Sequence, residues 1–387
     1  MHTVYLDHAA TTPLDPRVLE AMLPFMKESY GNANSAHHLG QKAKVKVEDA
    51  REKVAHLLNA EPSEIIFTSG GTESDNAVIK GVLALSANKS EIITSEIEHH
   101  AVLHPIEMSK MQGFQPVFVE SEACGTITAE SVLDKINDQT ALVSIMHVNN
   151  EIGCINEIKE IATICRERNI PFHSDTVQSL GKIPFDVKDI GLDFLSGSAH
   201  KIYGPKGIGI MYVRTGARWM PWMTGGSQER RRRGGTLNVP GVIGFTKALE
   251  LAYEEMEANT SHYKQLRALL INQLNDKLTS CSYTINGNAE KGVPHIINLT
   301  FTDAQGRGVD GEMLLLNLDI DGICVSNGSA CTSGAMEPSH VLTGIGLVNG
   351  VANSSIRVSF GKKNTKEDII FFVEKLNKVL ERMFALV

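Results

Sequence analysis

Apolar positions recur along this chain with two different periods. Short apolar runs of strand length occupy residues 65–68, 141–148, 170–174, 194–196 and 208–213. Gly, Pro, Asp or Asn stand close to the ends of each, the pattern of buried strands. Between them lie helical stripes. Val47, Ala50, Val54, Leu57 and Leu58 share one face of a helix predicted over 41–58, and 157–169 reads as another. At Gly70-Gly71 a strand turns into a helix expected from residue 73. Strand alternating with helix predicts a mainly parallel sheet flanked by helices.

Beyond residue 237 the texture changes. One long helical stretch is expected over 241–278, and strands at 296–301, 322–325 and 356–360 suit a smaller mixed sheet. Thr365 and Asp368 form a capping box ahead of a helix whose apolar face carries Ile369, Phe372, Val373, Leu376, Val379, Leu380 and Met383. The expected fold class is α/β: a large domain over residues 15–256, and a smaller α+β C-terminal domain over 257–387 joined by residues 1–14.

Charge narrows the partners. A formal charge of −8 offers no footprint for nucleic acid. Arg230 to Arg233 form one local basic run, either a solvated face or, beside Gly234-Gly235-Thr236, a holder of an anion. The first residues lack a basic end followed by a long apolar run, and no stretch has the length of a membrane span. Six cysteines, at 124, 154, 165, 281, 324 and 331, show no paired spacing, which points to a reducing, cytoplasmic setting.

Several residues then stand out as candidate chemistry. Lys201 follows small residues (Ser196-Gly197-Ser198-Ala199-His200) and precedes the turn Gly204-Pro-Lys-Gly207. Room before it and a rigid turn after it suit a lysine that anchors an aldehyde cofactor, although lysines beside Gly-rich turns are commonly solvated. Gly70, Gly71 and Thr72 at a helix start can cradle a phosphate, or Thr72 can simply cap the helix. Asp175 follows a strand, where a carboxylate can pair with a protonated pyridine nitrogen or serve as a cap, and Gln178 lies three residues on. His99, His100 and His104 cluster: two of them four apart can share a metal, or His99 alone can stack on a planar cofactor and shuttle protons. Cys331 sits among Ser, Gly, Ala and Thr, which reads as an exposed, mobile loop and marks a candidate nucleophile. Cys154 and Cys165 suit core packing, and Cys324 falls in a predicted strand.

Five motifs in order carry a family resemblance: Tyr5-Leu-Asp-His-Ala-Ala-Thr-Thr-Pro13, Phe67-Thr-Ser-Gly-Gly-Thr-Glu-Ser-Asp-Asn76, His147-Val-Asn-Asn-Glu-Ile-Gly153, Ser198-Ala-His-Lys201 and Gly328-Ser-Ala-Cys-Thr-Ser333. Nearly end to end, the chain resembles the cysteine desulfurases of the class V aminotransferase group, the NifS/IscS type. The resemblance implies pyridoxal 5′-phosphate on Lys201 in a fold type I enzyme. It implies Gly71, Thr72, Ser198 and His200 around the phosphate, Asp175 at the pyridine nitrogen, Gln178 at the ring hydroxyl and His99 stacked on the ring. Asn150 and Arg357 would hold the substrate carboxylate. Thr236 would reach the phosphate of a second subunit, which implies a homodimer. Cys331 would take sulfur from L-cysteine as a persulfide, leave L-alanine, and pass the sulfur to an acceptor or iron–sulfur scaffold protein, with a transient cluster ligand as a further role. Within the group, the alternatives are a selenocysteine lyase or another aminotransferase. Outside it, they are a metal-dependent hydrolase built on the three histidines and a non-enzymatic scaffold. The chain departs from the pattern at Asn32-Ala-Asn-Ser35, where many relatives read Asn-Pro-Ser-Ser. It also ends at Val387, where relatives that dock a scaffold carry a longer tail.

Overall fold

The structure, a computed structural model, describes residues 3–86, 88–288, 291–327 and 338–385. In chain order the strands are β1 (Val4–Tyr5), β2 (Ile65–Thr68), β3 (Glu91–Ser95), β4 (Gln115–Val119), β5 (Thr140–Ser144), β6 (Phe172–Asp175), β7 (Phe194–Ser198), β8 (Gly209–Val213), β9 (Ser282–Asn286), β10 (Ile296–Thr302), β11 (Ile323–Cys324) and β12 (Ser355–Ser359). Among the described residues they form three sheets. The largest has the order β2-β8-β7-β6-β5-β3-β4. Its pairs from β7 through β4 are parallel, and β8 runs antiparallel to both neighbours.

Helices cover both faces of this sheet, so its strands bury side chains on both sides. Ile65, Phe67, Ile93, Val143, Leu195, Ile210 and Tyr212 point into one core. The alternate residues Ile66, Ile92, Leu142, Phe194, Met211 and Val213 join the core on the other face. The stripe of helix His38–Leu58 packs Val47, Ala50, Val54 and Leu58 into the first core, and Val78, Ile79 and Val82 of helix Gly71–Leu83 enter the second.

A third core belongs to the smaller domain. The antiparallel sheet β12-β10-β9 sends Leu299, Phe301, Ile356 and Val358 against Leu266, Leu270 and Leu274 of helix Met256–Lys277 and against Phe372, Val373 and Leu376 of helix Lys366–Phe384. Thr365 and Asp368 close both halves of their capping box. Val4 and Leu6 enter this core too, and β1 pairs in parallel with β11. Among the described residues, no helix is long and apolar enough to cross a membrane.

Two expected elements differ. The helix over 241–278 is two helices, Val239–Glu254 and Met256–Lys277. The break falls at Glu255, whose carboxylate accepts from Arg17 and Lys362 and so ties the turn to residues far away in the chain. The strand expected over 141–148 stops at Ser144. Side chains take over there: Glu98 Oε1 accepts from Met146 N at 2.7 Å, and Asn156 Nδ2 donates to Met146 O at 2.8 Å. This early exit bends residues 146–150 away from the sheet and toward a cleft.

Candidate active site

The parallel strands deliver their carboxyl ends to one place, where open α/β sheets bind ligands. A cleft of about 400 Å³ opens there. Beyond β2 it is lined by Gly71 and Thr72, beyond β3 by His99, beyond β5 by Asn150, at the end of β6 by Asp175 and Gln178, and beyond β7 by Ser198, His200 and Lys201. Arg357, from β12 of the smaller domain, closes the opposite wall with Ser326.

Lys201 is held by a strap from the N-terminal segment. Its Nζ donates to the carbonyl oxygens of Ala9 at 2.6 Å and Ala10 at 2.8 Å. Thr12 fastens the same turn: its N–H donates to His200 O at 2.9 Å, and its Oγ1 accepts from Tyr203 N at 2.7 Å. Tyr203 adopts φ +64, a left-handed conformation costly for a non-glycine residue and imposed by these contacts. Burial, and then the nearby Arg357 cation, push the Lys201 amine from 10.5 down to about 8. Near neutral pH it therefore has a reactive neutral fraction that a solvated lysine lacks.

Asp175 lies opposite in chemical character. It is buried, and its Oδ1 accepts from Val177 N at 2.9 Å. Burial, then the Asp75 carboxylate, raise its pKa to about 7. A carboxylate this uncompensated calls for a cation in the cleft beside it. Beneath it, His173 hydrogen-bonds through Nδ1 to Ser144 Oγ (2.8 Å) and through Nε2 to Ser196 Oγ (3.1 Å), with Asp75 Oδ1 at 3.5 Å. Burial also pushes Asp75 up to about 7, opposed by the weaker pull of the Ser196 hydroxyl.

At the other end of the cleft, the helix Gly71–Leu83 presents its free N–H groups. Gly70 has φ +153, a backbone region that is essentially glycine's alone. A Cβ on Gly71 would stand 2.6 Å from Val177 Cγ2. The two glycines let the helix start approach the sheet closely. Ser198 and His200 face the same recess, and His200 Nδ1 lies 3.2 Å from Thr11 Oγ1.

His99 caps its helix: Nδ1 accepts from Ala101 N at 3.0 Å. That acceptor role leaves the ring proton on Nε2. Although the side chain opens on the cleft, the protein walls and then the Lys201 cation push its pKa down to about 4, so the ring is neutral. His100 turns away and stacks between His104 (centroids 4.8 Å) and His340 (4.5 Å). Among the described residues, no three His, Cys, Asp or Glu side chains gather as a metal-binding group.

Arg357 donates through NH1 to Asn150 O at 2.9 Å and through NH2 to Asp7 Oδ1 at 2.8 Å and Ser326 Oγ at 3.1 Å. Its Nε and the Asn150 Oδ1 are buried without partners, so both retain hydrogen-bonding capacity at the cleft. Thr236 is exposed and is not among the residues that line the cleft of its own chain. Cys331 lies outside the described residues. Asn32, Ser35 and His37 are not among the residues that line the cleft. Asn32 Oδ1 accepts from Asn34 N at 2.9 Å, closing a turn, and His37 caps the helix His38–Leu58.

Three of the four arginines of the run are spent on the protein. Arg230 pairs with Glu48, Arg232 donates to Ser63 O, and Arg233 grips Glu73 through two bonds of 2.8 and 3.0 Å. Glu229, Arg230 and Arg231 all have positive φ, a strained turn held by the buried pair of Glu229 with Arg51.

Comparison with known proteins places this architecture. The class-V aminotransferase family model matches residues 4–372. The chain belongs to the class-V aminotransferases. It is 45% identical to the cysteine desulfurase IscS of Dictyoglomus turgidum, over 98% of this chain and 95% of that protein. It is 44% identical to the cysteine desulfurase IscS of Methanosarcina thermophila, over 98% and 92%. Among solved structures, a NifS-like protein matches with a TM-score of 0.90 at 38% identity over 98% of this chain and all of that one. The structure described as SspA in complex with cysteine matches at 0.82 and 36%, over 92% of this chain and 99% of that one.

Enzymes of this family depend on pyridoxal 5′-phosphate, and the residues fit that group. A buried amine with a lowered pKa, an uncompensated buried carboxylate and a close-approach helix start line one cleft, matching the group's aldehyde, basic nitrogen and phosphate. Asp75, His173 and Asp7 escaped the sequence reading. Asp7 and Asp75 lie inside two of the five motifs without a role of their own, and their relation to the cleft, like that of His173, arises only when β6, β12 and the Gly71–Leu83 helix converge.

Proposed function

We propose that this chain is a cysteine desulfurase that removes sulfur from L-cysteine, releases L-alanine and carries the sulfur as a persulfide on Cys331. The observation that carries this reading is the placement of Lys201 and Asp175 in the lining of one cleft, in a chain 45% identical to a cysteine desulfurase.

Pyridoxal 5′-phosphate, held by Lys201, Asp175, Gln178 and the Gly71–Thr72 helix start with Ser198 and His200, supplies an electron sink for the substrate's α-carbon. Arg357 and Asn150 orient the substrate carboxylate. The Lys201 amine, neutral in part near pH 8, takes the α-proton. His99, with its proton on Nε2, is the second proton carrier. Cys331 attacks the substrate sulfur as thiolate. The carbon–sulfur bond breaks with its electron pair left on carbon, which is protonated to the methyl group of alanine. Burial holds the thiols of Cys154, Cys165, Cys281 and Cys324 above their ordinary range, so none of these four suits that attack.

The working unit in this reading is a homodimer. Met220, Trp222 and Met223 are exposed on the loop that leads to Thr236, a surface suited to a second copy. Thr236 then completes the phosphate site of the other subunit. The sulfur passes to an acceptor protein in the reducing cytoplasm, for iron–sulfur clusters or thio-modified cofactors. Incubation with L-cysteine and a thiol reductant tests the reading. Alanine and sulfide in equal amounts support it, whereas a keto acid without sulfide points to transamination and overturns it.

A further inference from the structure

Lys201 separates the cleft from a second, inner cavity of about 40 Å³ that is also lined by Lys182, His8, His295, Tyr203 and Tyr263. Lys182 does not line the cleft, yet it is joined to it. Its Nζ donates to Gln178 Oε1 at 2.8 Å, Gln178 Nε2 donates to Ala9 O at 2.8 Å, and the same carbonyl oxygen accepts from Lys201 at 2.6 Å. Two lysine amines are thus linked through one amide and one carbonyl.

We propose that Lys182 is a positioning residue for the active site: from the inner cavity it fixes the Gln178 amide, which in turn sets the Ala9 carbonyl that holds Lys201. The geometry fixes the amide from both ends. An ammonium only donates and a carbonyl oxygen only accepts, so Oε1 faces Lys182 and Nε2 faces Ala9. The second Nε2 hydrogen remains available on the cleft side, where Gln178 is part of the lining. Without Lys182, Oε1 loses its donor and the amide is held at one end only.

The surroundings make this lysine sensitive to charge. Burial, and then the Lys201 and Arg357 cations, push its pKa down to about 7. His8, His295 and His200 all lie within its electrostatic reach. Asp15 and Glu255, also lining the inner cavity, are spent on Arg17 and Lys362. Lys182 therefore lacks a carboxylate partner of its own among the described residues, and its hydrogen bond to Gln178 is what orients it.

The inference rests on the reading that Lys201 and Gln178 serve the cofactor. It is tested on the holoenzyme by two measurements besides turnover: the pH midpoint of the cofactor's visible absorption, and the cofactor dissociation constant. Lys182→Met should weaken cofactor binding about tenfold, the scale of one lost hydrogen bond to a charged group. It should also raise the absorption midpoint by up to about half a unit, because the positive charge that Lys182 carries in part near pH 7 is gone. Lys182→Arg keeps the donors and a full positive charge, so it should hold the cofactor near wild type and should not raise the midpoint. Wild-type values in Lys182→Met, or equal shifts in Met and Arg variants, would overturn the inference while leaving the cofactor reading intact. That reading fails separately if Lys201→Ala keeps the wild-type visible absorption.

Discussion

The Lys201 amine donates to the backbone carbonyl of Ala9 at 2.6 Å, although the two residues are 192 positions apart. The contact threads the N-terminal strap beneath the reactive lysine and on to β12, where Ala9 N donates to Ser359 Oγ at 2.8 Å. Both domains therefore meet at the lysine.

The pKa of Lys201 gives a pH prediction for the cofactor-free protein. Its amine should react with an acylating reagent about ten times faster per pH unit below pH 8 and level off near there, far below an exposed lysine. Between about 8 and 10.5 the unfolded chain binds more protons at this position, so its contribution to stability rises with pH over that window. Peptide-resolved labelling against pH checks the first part. Labelling that rises only toward pH 10.5 would contradict it.

Asp175 makes the opposite prediction. Its carboxyl rises from 3.8 to about 7 on folding, so the native state binds more protons across that range and stability falls as pH rises through it. In the cofactor-free protein, Asp175→Asn should melt at a higher temperature than wild type at pH 8, with the gap closing toward pH 4. Loaded with cofactor, the order should reverse, because the cation that the carboxylate awaits is then present. Melting curves at two pH values, with and without cofactor, decide it.

Glu229 and Arg51 form a buried ion pair with two bonds of 2.8 Å, and Glu229 also accepts from Phe67 N. Glu229→Ala should cost about 3–5 kcal/mol, because it strands a buried guanidinium and frees a strained turn. The double variant Arg51→Met, Glu229→Ala should recover part of the loss. Denaturant unfolding measures both, and a single-variant loss below 1 kcal/mol would show that the pair is not what holds the turn.

The proposed subunit arrangement also yields a prediction. Mixing Lys201→Ala chains with Thr236→Ala chains should form heterodimers with one site intact and one carrying both lesions. Activity should reappear on mixing. No recovery, with dimers confirmed by sedimentation, would contradict the shared site.

Much of this was legible in the sequence, and the exceptions have a common cause. The buried strands and the terminal helix announced themselves because apolar periodicity is a local signal, as with Phe194-Leu195 and the Thr365 capping box. The break at Glu255 was not legible, since helix periodicity continues across it and the partners Arg17 and Lys362 lie far away in sequence. Ser144 ends its strand for the same reason: Glu98 and Asn156 claim Met146 from other elements. In the cleft, Lys201 stood out by its setting and its motif, and Asp175 by its place after a strand. The roles of Asp75, His173 and Lys182 were not legible, because their meaning depends on which buried groups face them after folding.

The central claim is that Cys331 receives the sulfur while Lys201 and the cofactor prepare the substrate. The most direct test is a single turnover with L-cysteine on wild type, Cys331→Ser and Cys324→Ser, reading alanine released and the mass of the intact protein. Wild type and Cys324→Ser should release alanine and gain one sulfur atom. Cys331→Ser should keep its bound cofactor, release alanine orders of magnitude more slowly and gain no sulfur. Sulfur gained by Cys331→Ser, or a dead Cys324→Ser, would contradict the account.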